Sequence, residues 1–355
     1  MNSFQLYANG ARLVVDTRYA NGLNIAGNGL EGDGAETSSS QAHNYIVADG
    51  RSQDFHGKGD LQVASLAAHN GLADIALGDA RLAWMTDQPQ RAERYFAYVP
   101  ADPASGASEY VVVADRFTQG GESHDYTSYL HTDWTNTMAV TSGSANGVDR
   151  PITACVTAPS HDESRYAAGE PFHPYRWFLD AAVGEEPATV VRDAAMEATI
   201  VTATPAAATV GSFTPLDQKD WERYRLRDTG KRPQPRLEIT SSGPSFNSLA
   251  VLMPGDGHPG RRCAKGPTVT QVRTNDGELV LRVEHRKGTR DTVKLSLSPV
   301  DGLHDFRIER LTRSHSIVTA GVDPTQSDTD EEPLDEQLAE DPVDTLRRVS
   351  GLPGA

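Results

Sequence analysis

Ser3-Phe4-Gln5-Leu6-Tyr7-Ala8-Asn9-Gly10, running on to Leu13-Val14-Val15-Asp16, announces a β chain from its first residues. Two short alternating runs, Phe4 to Tyr7 and Leu13 to Val15, flank Asn9-Gly10, a dipeptide whose tolerance of positive φ suits a two-residue hairpin. The second run delivers Asp16 to a strand end. A Gly-rich polar stretch follows over residues 21–40. The chain then returns through His43 into Tyr45-Ile46-Val47 and stops at Asp49-Gly50. Asp16 and His43 are thus expected on neighbouring strand ends, and zinc accepts both a carboxylate oxygen and an imidazole nitrogen. The plainer alternative is a surface aspartate and a histidine that holds a loop.

Outward from this stretch the strand signals continue. Leu61 to Leu66 alternates, and Asp79 is placed to cap one helical turn that sends Trp84 and Met85 inward. Arg94 to Val99 and Tyr110 to Ala114 read as a hairpin joined by a Pro/Gly/Ser loop, Pro100 to Ser108. Asp125 to His131 reads as a strand with Tyr126, Ser128 and Leu130 on one face and Tyr129 and His131 toward the other. Ile152 to Thr157, Thr199 to Thr204, Arg236 to Thr240, Leu249 to Met253 and Phe306 to Leu311 supply further strands. The clearest hairpin joins Gly277–His285 to Thr292–Leu297, with Leu279, Leu281 and Val283 alternating against Val280, Arg282 and Glu284. Trp221 to Arg227 interleaves aromatic and basic groups, either a contact for acidic sugars or a strand with solvated arginines. His161, His173 and Tyr175 read as loop residues in a Pro-rich context.

The fold class expected is all-β: a large antiparallel sandwich of stacked sheets over residues 1–318, with a subdivision near 140–200 as the alternative. Residues 319–355 are expected to form a disordered acidic tail, since Asp323 to Asp344 is crowded with carboxylates and has no aromatic residue. The 21 prolines and 31 glycines among 355 residues agree with a turn-rich β chain. A net charge of −16 argues against nucleic acid as a partner and requires any cleft for acidic sugars to carry its own basic lining. No run approaches the apolar length of a membrane span. Cys155 and Cys263 are either one disulfide or two buried thiols. Phosphate-loop, zinc-protease and nucleophile-elbow motifs are missing.

In order and spacing, Ser3 to Gly10, Val15-Asp16-x-x-Tyr19, and Ala42-His43-Asn44 with Asp49-Gly50 and Gln53 resemble the central β-sheet domain of heparinase II/III-like polysaccharide lyases. The likeness runs on through Gly78-Asp79-Ala80, Arg91-x-x-Arg94, Tyr110 to Asp115, Tyr126 and Leu130-His131-Thr132. It is good over residues 3–135 and only a general β character over 136–315. The resemblance implies β-elimination on a uronate-containing polysaccharide: the carboxylate is neutralised, a tyrosine or histidine takes the proton, and the glycosidic oxygen leaves with a proton from a general acid. It also implies that Asp16 and His43 are metal ligands; His131 and Tyr129, on a neighbouring strand, either line the substrate side or serve as core or interface residues. In that family a His-x-His segment before the Ser-Phe strand supplies a further ligand and a catalytic histidine, and an N-terminal α/α-toroid domain carries the catalytic tyrosine. With the chain starting at Met1, both are expected to be missing. The chain is then inactive alone, holds zinc weakly or not at all, and has an acidic polysaccharide and a separate toroid domain as partners. Family members are typically secreted or periplasmic, although this N-terminus has no signal peptide. Two other readings stay open, a non-catalytic carbohydrate-binding β-sandwich and a structural domain of a larger secreted protein.

Overall fold

A computed structural model describes residues 3–8, 11–16, 41, 43–51, 53, 72–84, 88–133, 136–142, 151–158, 194–213, 234–256, 263, 267–272, 277–297, 305–314 and 316–321. Nearly everything regular among them is antiparallel strand, numbered here in chain order. The middle layer is a seven-stranded sheet. Its order is β4 (Asp74–Asp79), β5 (Arg91–Val99), β6 (Tyr110–Thr118), β13 (Phe246–Asp256), β10 (Ala194–Thr202), β9 (Ile152–Ala158) and β8 (Thr137–Ser142). A four-stranded sheet covers one face in the order β11 (Ala206–Phe213), β12 (Gln234–Gly243), β7 (His124–His131) and β3 (Ile46–Ala48). A five-stranded sheet covers the other: β14 (Thr268–Gln271), β15 (Glu278–Glu284), β16 (Arg290–Ser296), β17 (Phe306–Leu311) and β18 (Ile317–Gly321). A small ribbon pairs β1 (Leu6–Ala8) with β2 (Ala11–Val14), and its Ala8↔Ala11 pairing brackets Asn9-Gly10.

The layering follows from the side chains. In β6 both faces are covered, so Tyr110-Val111-Val112-Val113-Ala114 is one continuous apolar run. Val111, Val113 and Phe117 join Leu237, Ile239 and Tyr126 of the four-stranded sheet in one core. Tyr110, Val112 and Ala114 join Leu281, Val293 and Ile308 of the five-stranded sheet in the other. The outer sheets have one wet face, and β16 accordingly alternates strictly between half-buried and buried positions. At Asp49-Gly50 both residues have positive φ, 51° and 71°, which closes Ala48 onto Arg51 in a tight turn that Asp-Gly suits.

Strands read from the sequence recur with shifted ends. β10 begins at Ala194 rather than Thr199, because Ala194-Ala195-Met196-Glu197-Ala198, a string of good helix formers, is paired on both sides by β9 and β13. β4, β8, β11, β14 and β18 were not legible as strands, and β18 runs to Gly321, past residue 318. Asp79 does accept the Arg81 N–H (2.9 Å) ahead of a single 3-10 turn, Arg81–Ala83, and Trp84 is buried. Cys155 and Cys263 form a disulfide with Cα atoms 5.5 Å apart. Leu61–Leu66, Met85, His161, His173, Tyr175, Trp221–Arg227 and residues 322–355 lie outside the described residues, as do 143–150 and 159–193.

Candidate functional site

One buried amide organises the site. Asn44 donates through Nδ2 to the carbonyls of Phe4 (2.8 Å) and Val15 (2.9 Å), and its Oδ1 accepts the His131 backbone N–H (2.6 Å). The Val15 N–H in turn donates to the His131 carbonyl (3.1 Å). Three segments meet here: the one preceding Asp16, the one carrying His43 and the end of β7 carrying His131. Asn44 is itself held by Arg94, which donates to its carbonyl and is clamped by Asp115 through two hydrogen bonds of 2.6 and 3.0 Å. Tyr45 places its ring 5.0 Å from the Arg94 guanidinium carbon. All but the Phe4 bond of this network is buried, so each unmade bond there would be costly.

The consequence is a close pair. His43 Nδ1 and Asp16 Oδ1 are 2.5 Å apart across a separation of 27 residues, both only partly exposed. Imidazole nitrogen and carboxylate oxygen are a donor set that zinc takes, and ligand atoms around a tetrahedral ion at roughly 2.0–2.2 Å sit about 3.4 Å apart, so these two side chains would have to part by about 1 Å to share one. Among the described residues no third His, Cys, Asp or Glu completes a metal group.

His131 and Tyr129 lie on the outward face of the four-stranded sheet, cross-strand from Arg236 and Glu238 respectively. Tyr129 is half-buried and its phenol is shifted up by that burial, against the pull of Arg236. His131 is fully buried. Burial first, then the Arg236 charge, push its pKa down to about 3, so it is neutral across the physiological range. Its Nε2 donates to the Gln41 carbonyl (2.9 Å), which leaves Nδ1 as the lone-pair nitrogen, without a partner among the described residues. Arg236 also donates to the Gln41 carbonyl (3.3 Å) and binds Glu238 through Nε (2.7 Å). Its guanidinium carbon is 4.5 Å from the Tyr129 ring centre and 5.5 Å from that of Phe213.

The sequence reading named Asp16, His43, His131 and Tyr129, and these fall in one neighbourhood joined through Asn44 and Gln41. It quotes Asn44 and Arg94 within motifs without giving either a role, and it does not single out Arg236, Glu238 or Phe213. The available signal was the i, i+2 spacing of Arg236 and Glu238, which puts both on one face of a strand. At the far end of β7, His124 has Asp49 Oδ2 at 2.7 Å and the Gly120 carbonyl at 3.2 Å, so both ring nitrogens face acceptors. Its pKa is raised, chiefly by the bond to Asp49. That pair clasps the Asp49-Gly50 turn.

Fold and site together define a three-layered antiparallel sandwich with an Asp–His pair beside an aromatic and basic sheet face. No family model matches the sequence, and no curated protein matches it either. Among solved structures the chain is similar to heparinase III, at 12% sequence identity and a TM-score of 0.43, covering 83% of this chain and 35% of that one. The chain thus spans about a third of the length of that protein.

Proposed function

We propose that this chain is the β-sandwich portion of a heparinase II/III-like polysaccharide lyase and contributes the metal-holding, sugar-facing wall of a site for β-elimination on a uronate-containing polysaccharide. The observation that carries the reading is the meeting of Asp16 and His43. The motif resemblance names these two residues as ligands, and they lie in direct contact although 27 positions apart. Bound there, zinc supplies a fixed positive charge and ties two strand ends together. The protein's own part is to hold the two side chains in place through Asn44 and Arg94 and to offer Tyr129, neutral His131 and Arg236 to an anionic chain. Calorimetric zinc titration of the whole chain against His43→Ala tests the metal role. Weak binding is expected in the wild type and a loss of heat in the variant; equal heats in the two reject it. Absorbance of unsaturated sugar ends on alginate or heparan sulfate reports whether the 355-residue chain turns over alone.

A second reading has its own support. The outward face of the four-stranded sheet carries Tyr129, Phe213 and Arg236 together, an arrangement suited to holding a sugar without chemistry. Uronate binding that is unaffected by both zinc and His43→Ala favours this carbohydrate-binding module.

A further inference from the structure

We infer that Arg236 is the group that recognises the sugar carboxylate, with an end-on guanidinium edge held ready for it; the inference rests on the uronate-binding reading above. A guanidinium presents two edges for paired hydrogen bonds, one through Nε with one Nη and one through Nη1 and Nη2. Glu238 takes the Nε edge at 2.7 Å. On the other edge Nη1 makes one long bond to the Gln41 carbonyl (3.3 Å), and Nη2 has no partner among the described residues. The Tyr129 and Phe213 rings, 4.5 and 5.5 Å from its central carbon, keep the group from swinging away. Gly211, directly across from Arg236 on β11, leaves the room that Glu238 occupies: a Cβ there would come 2.2 Å from Glu238 Oε1.

A second, independent feature points to a ligand at the same place. His131 is Arg236's cross-strand neighbour, fully buried, and its Nδ1 lone pair is unpartnered among the described residues. Once the side chains that cover it part, such an atom accepts a hydrogen bond from a sugar hydroxyl. A carboxylate on the Arg236 edge with an adjacent hydroxyl near His131 is the chemistry of a uronic acid residue. A neutral hexose offers the hydroxyl without the anion, and a sulfate ester offers a tetrahedral anion in place of a planar fork. The chain carries a net charge of −16, so an anionic polymer binds only where a local cation overrides the general repulsion.

The test is isothermal calorimetry on the full chain in about 0.15 M sodium chloride, with alginate oligomers, their carboxyl-reduced neutral counterparts, and dextran sulfate. Alginate is expected to bind and the reduced oligomer not to. Arg236→Gln is expected to weaken alginate by about tenfold or more. Arg236→Lys, which keeps the charge and loses the fork, falls between them. The urea midpoint of Arg236→Gln is expected to lie within about 1 kcal/mol of the wild type, which certifies that the variant is folded. Alginate binding that Arg236→Gln leaves intact overturns the inference and spares the wider reading. Equal binding of native and reduced oligomers, or dextran sulfate bound in preference to alginate, overturns the carboxylate assignment without any mutant. No binding to any uronate overturns both.

Discussion

Asp291 and Glu238 each face an arginine and lie near a histidine, on opposite outer sheets of the same sandwich. Asp291, on β16, accepts hydrogen bonds from Tyr110 (2.8 Å), from His285 (2.9 Å) and twice from Arg310 (2.8 and 2.7 Å). Its histidine is also used up, since His285 Nδ1 accepts the Ser108 N–H at 3.2 Å. Glu238, on β12, accepts from Arg236 alone among the described residues, and nearby His131 keeps an unpartnered nitrogen. Asp291 is fully buried and faces the middle sheet; Glu238 is half-buried and faces outward. The difference separates two uses of the same residue types. A saturated cluster pins two layers together, whereas one with donors and acceptors to spare is available to a ligand.

The largest effect is expected where saturation is broken. Asp291→Asn leaves the buried Arg310 without its counter-charge, and a loss on the order of 3–5 kcal/mol follows. A urea midpoint measured in wild type and variant reads this directly. A shift equivalent to less than about 1 kcal/mol would dissolve the contrast between the two clusters. Burial alone would raise the Asp291 pKa, yet the bonds from Arg310 and His285 outweigh it and the pKa is lowered. A carboxyl depressed in the folded state contributes stability that is present above its unfolded pKa, near 3.9, and is lost only as pH falls through the lower folded value. The pin therefore holds through the neutral and mildly acidic range.

Next in size is Asn44→Ala. The variant leaves the Phe4 and Val15 carbonyls and the His131 N–H unmatched, at about 1–3 kcal/mol in all once water enters the space the amide vacates. Because those groups belong to the segments that carry Asp16 and His131, zinc affinity is expected to fall along with thermal stability. Unchanged zinc heats in a destabilised Asn44→Ala would show that the amide serves the fold and not the metal pair.

How much of this was legible in advance follows from the range of the forces involved. Alternation in Glu278–Glu284 and the run Tyr110–Ala114 are local consequences of one covered face and of two, so both were readable. Ala194–Ala198 was not, because its own preference is helical and only the flanking strands override it. Asp16 and His43 were found through motif order. Asn44, next to His43, stands in the same motif but carries no legible role, since an asparagine's worth depends on which distant carbonyls meet it. Arg236 was missed for the same reason: Tyr129 and Phe213 reach it from other strands.

His131 gives a pH-dependent contrast. Its pKa is lowered to about 3, mainly by burial and then by Arg236. As pH falls below about 6.5 the unfolded chain takes up a proton that the native histidine refuses, which removes up to about 1.4 kcal/mol of stability per pH unit. Above that pH the contribution is complete. His131→Phe fills similar space without titrating, so its stability is expected to stay flatter between pH 6.5 and 4. Parallel acid profiles for wild type and variant would mean that other groups set the slope.

The smallest change is expected from the mirror image of the first experiment. Glu238→Gln removes the carboxylate from Arg236 just as Asp291→Asn removes one from Arg310. Here the pair is partly solvated, with 14% and 25% of the two side chains exposed, so water replaces much of what is lost. A stability change of about 0–1 kcal/mol follows. Binding is expected to move the other way. Without Glu238 beside it, Arg236 keeps its place between Tyr129 and Phe213 but carries an uncompensated charge, and alginate oligomers are expected to bind a few-fold tighter. The gain shrinks as salt rises, because the added attraction is electrostatic and partly exposed. Urea midpoints and calorimetry on the one variant read both quantities. If Glu238→Gln destabilises as much as Asp291→Asn, the outward cluster is a second pin. If it is stable and binds alginate more weakly, Glu238 positions the arginine rather than masking it, and the fork needs both of its edges held.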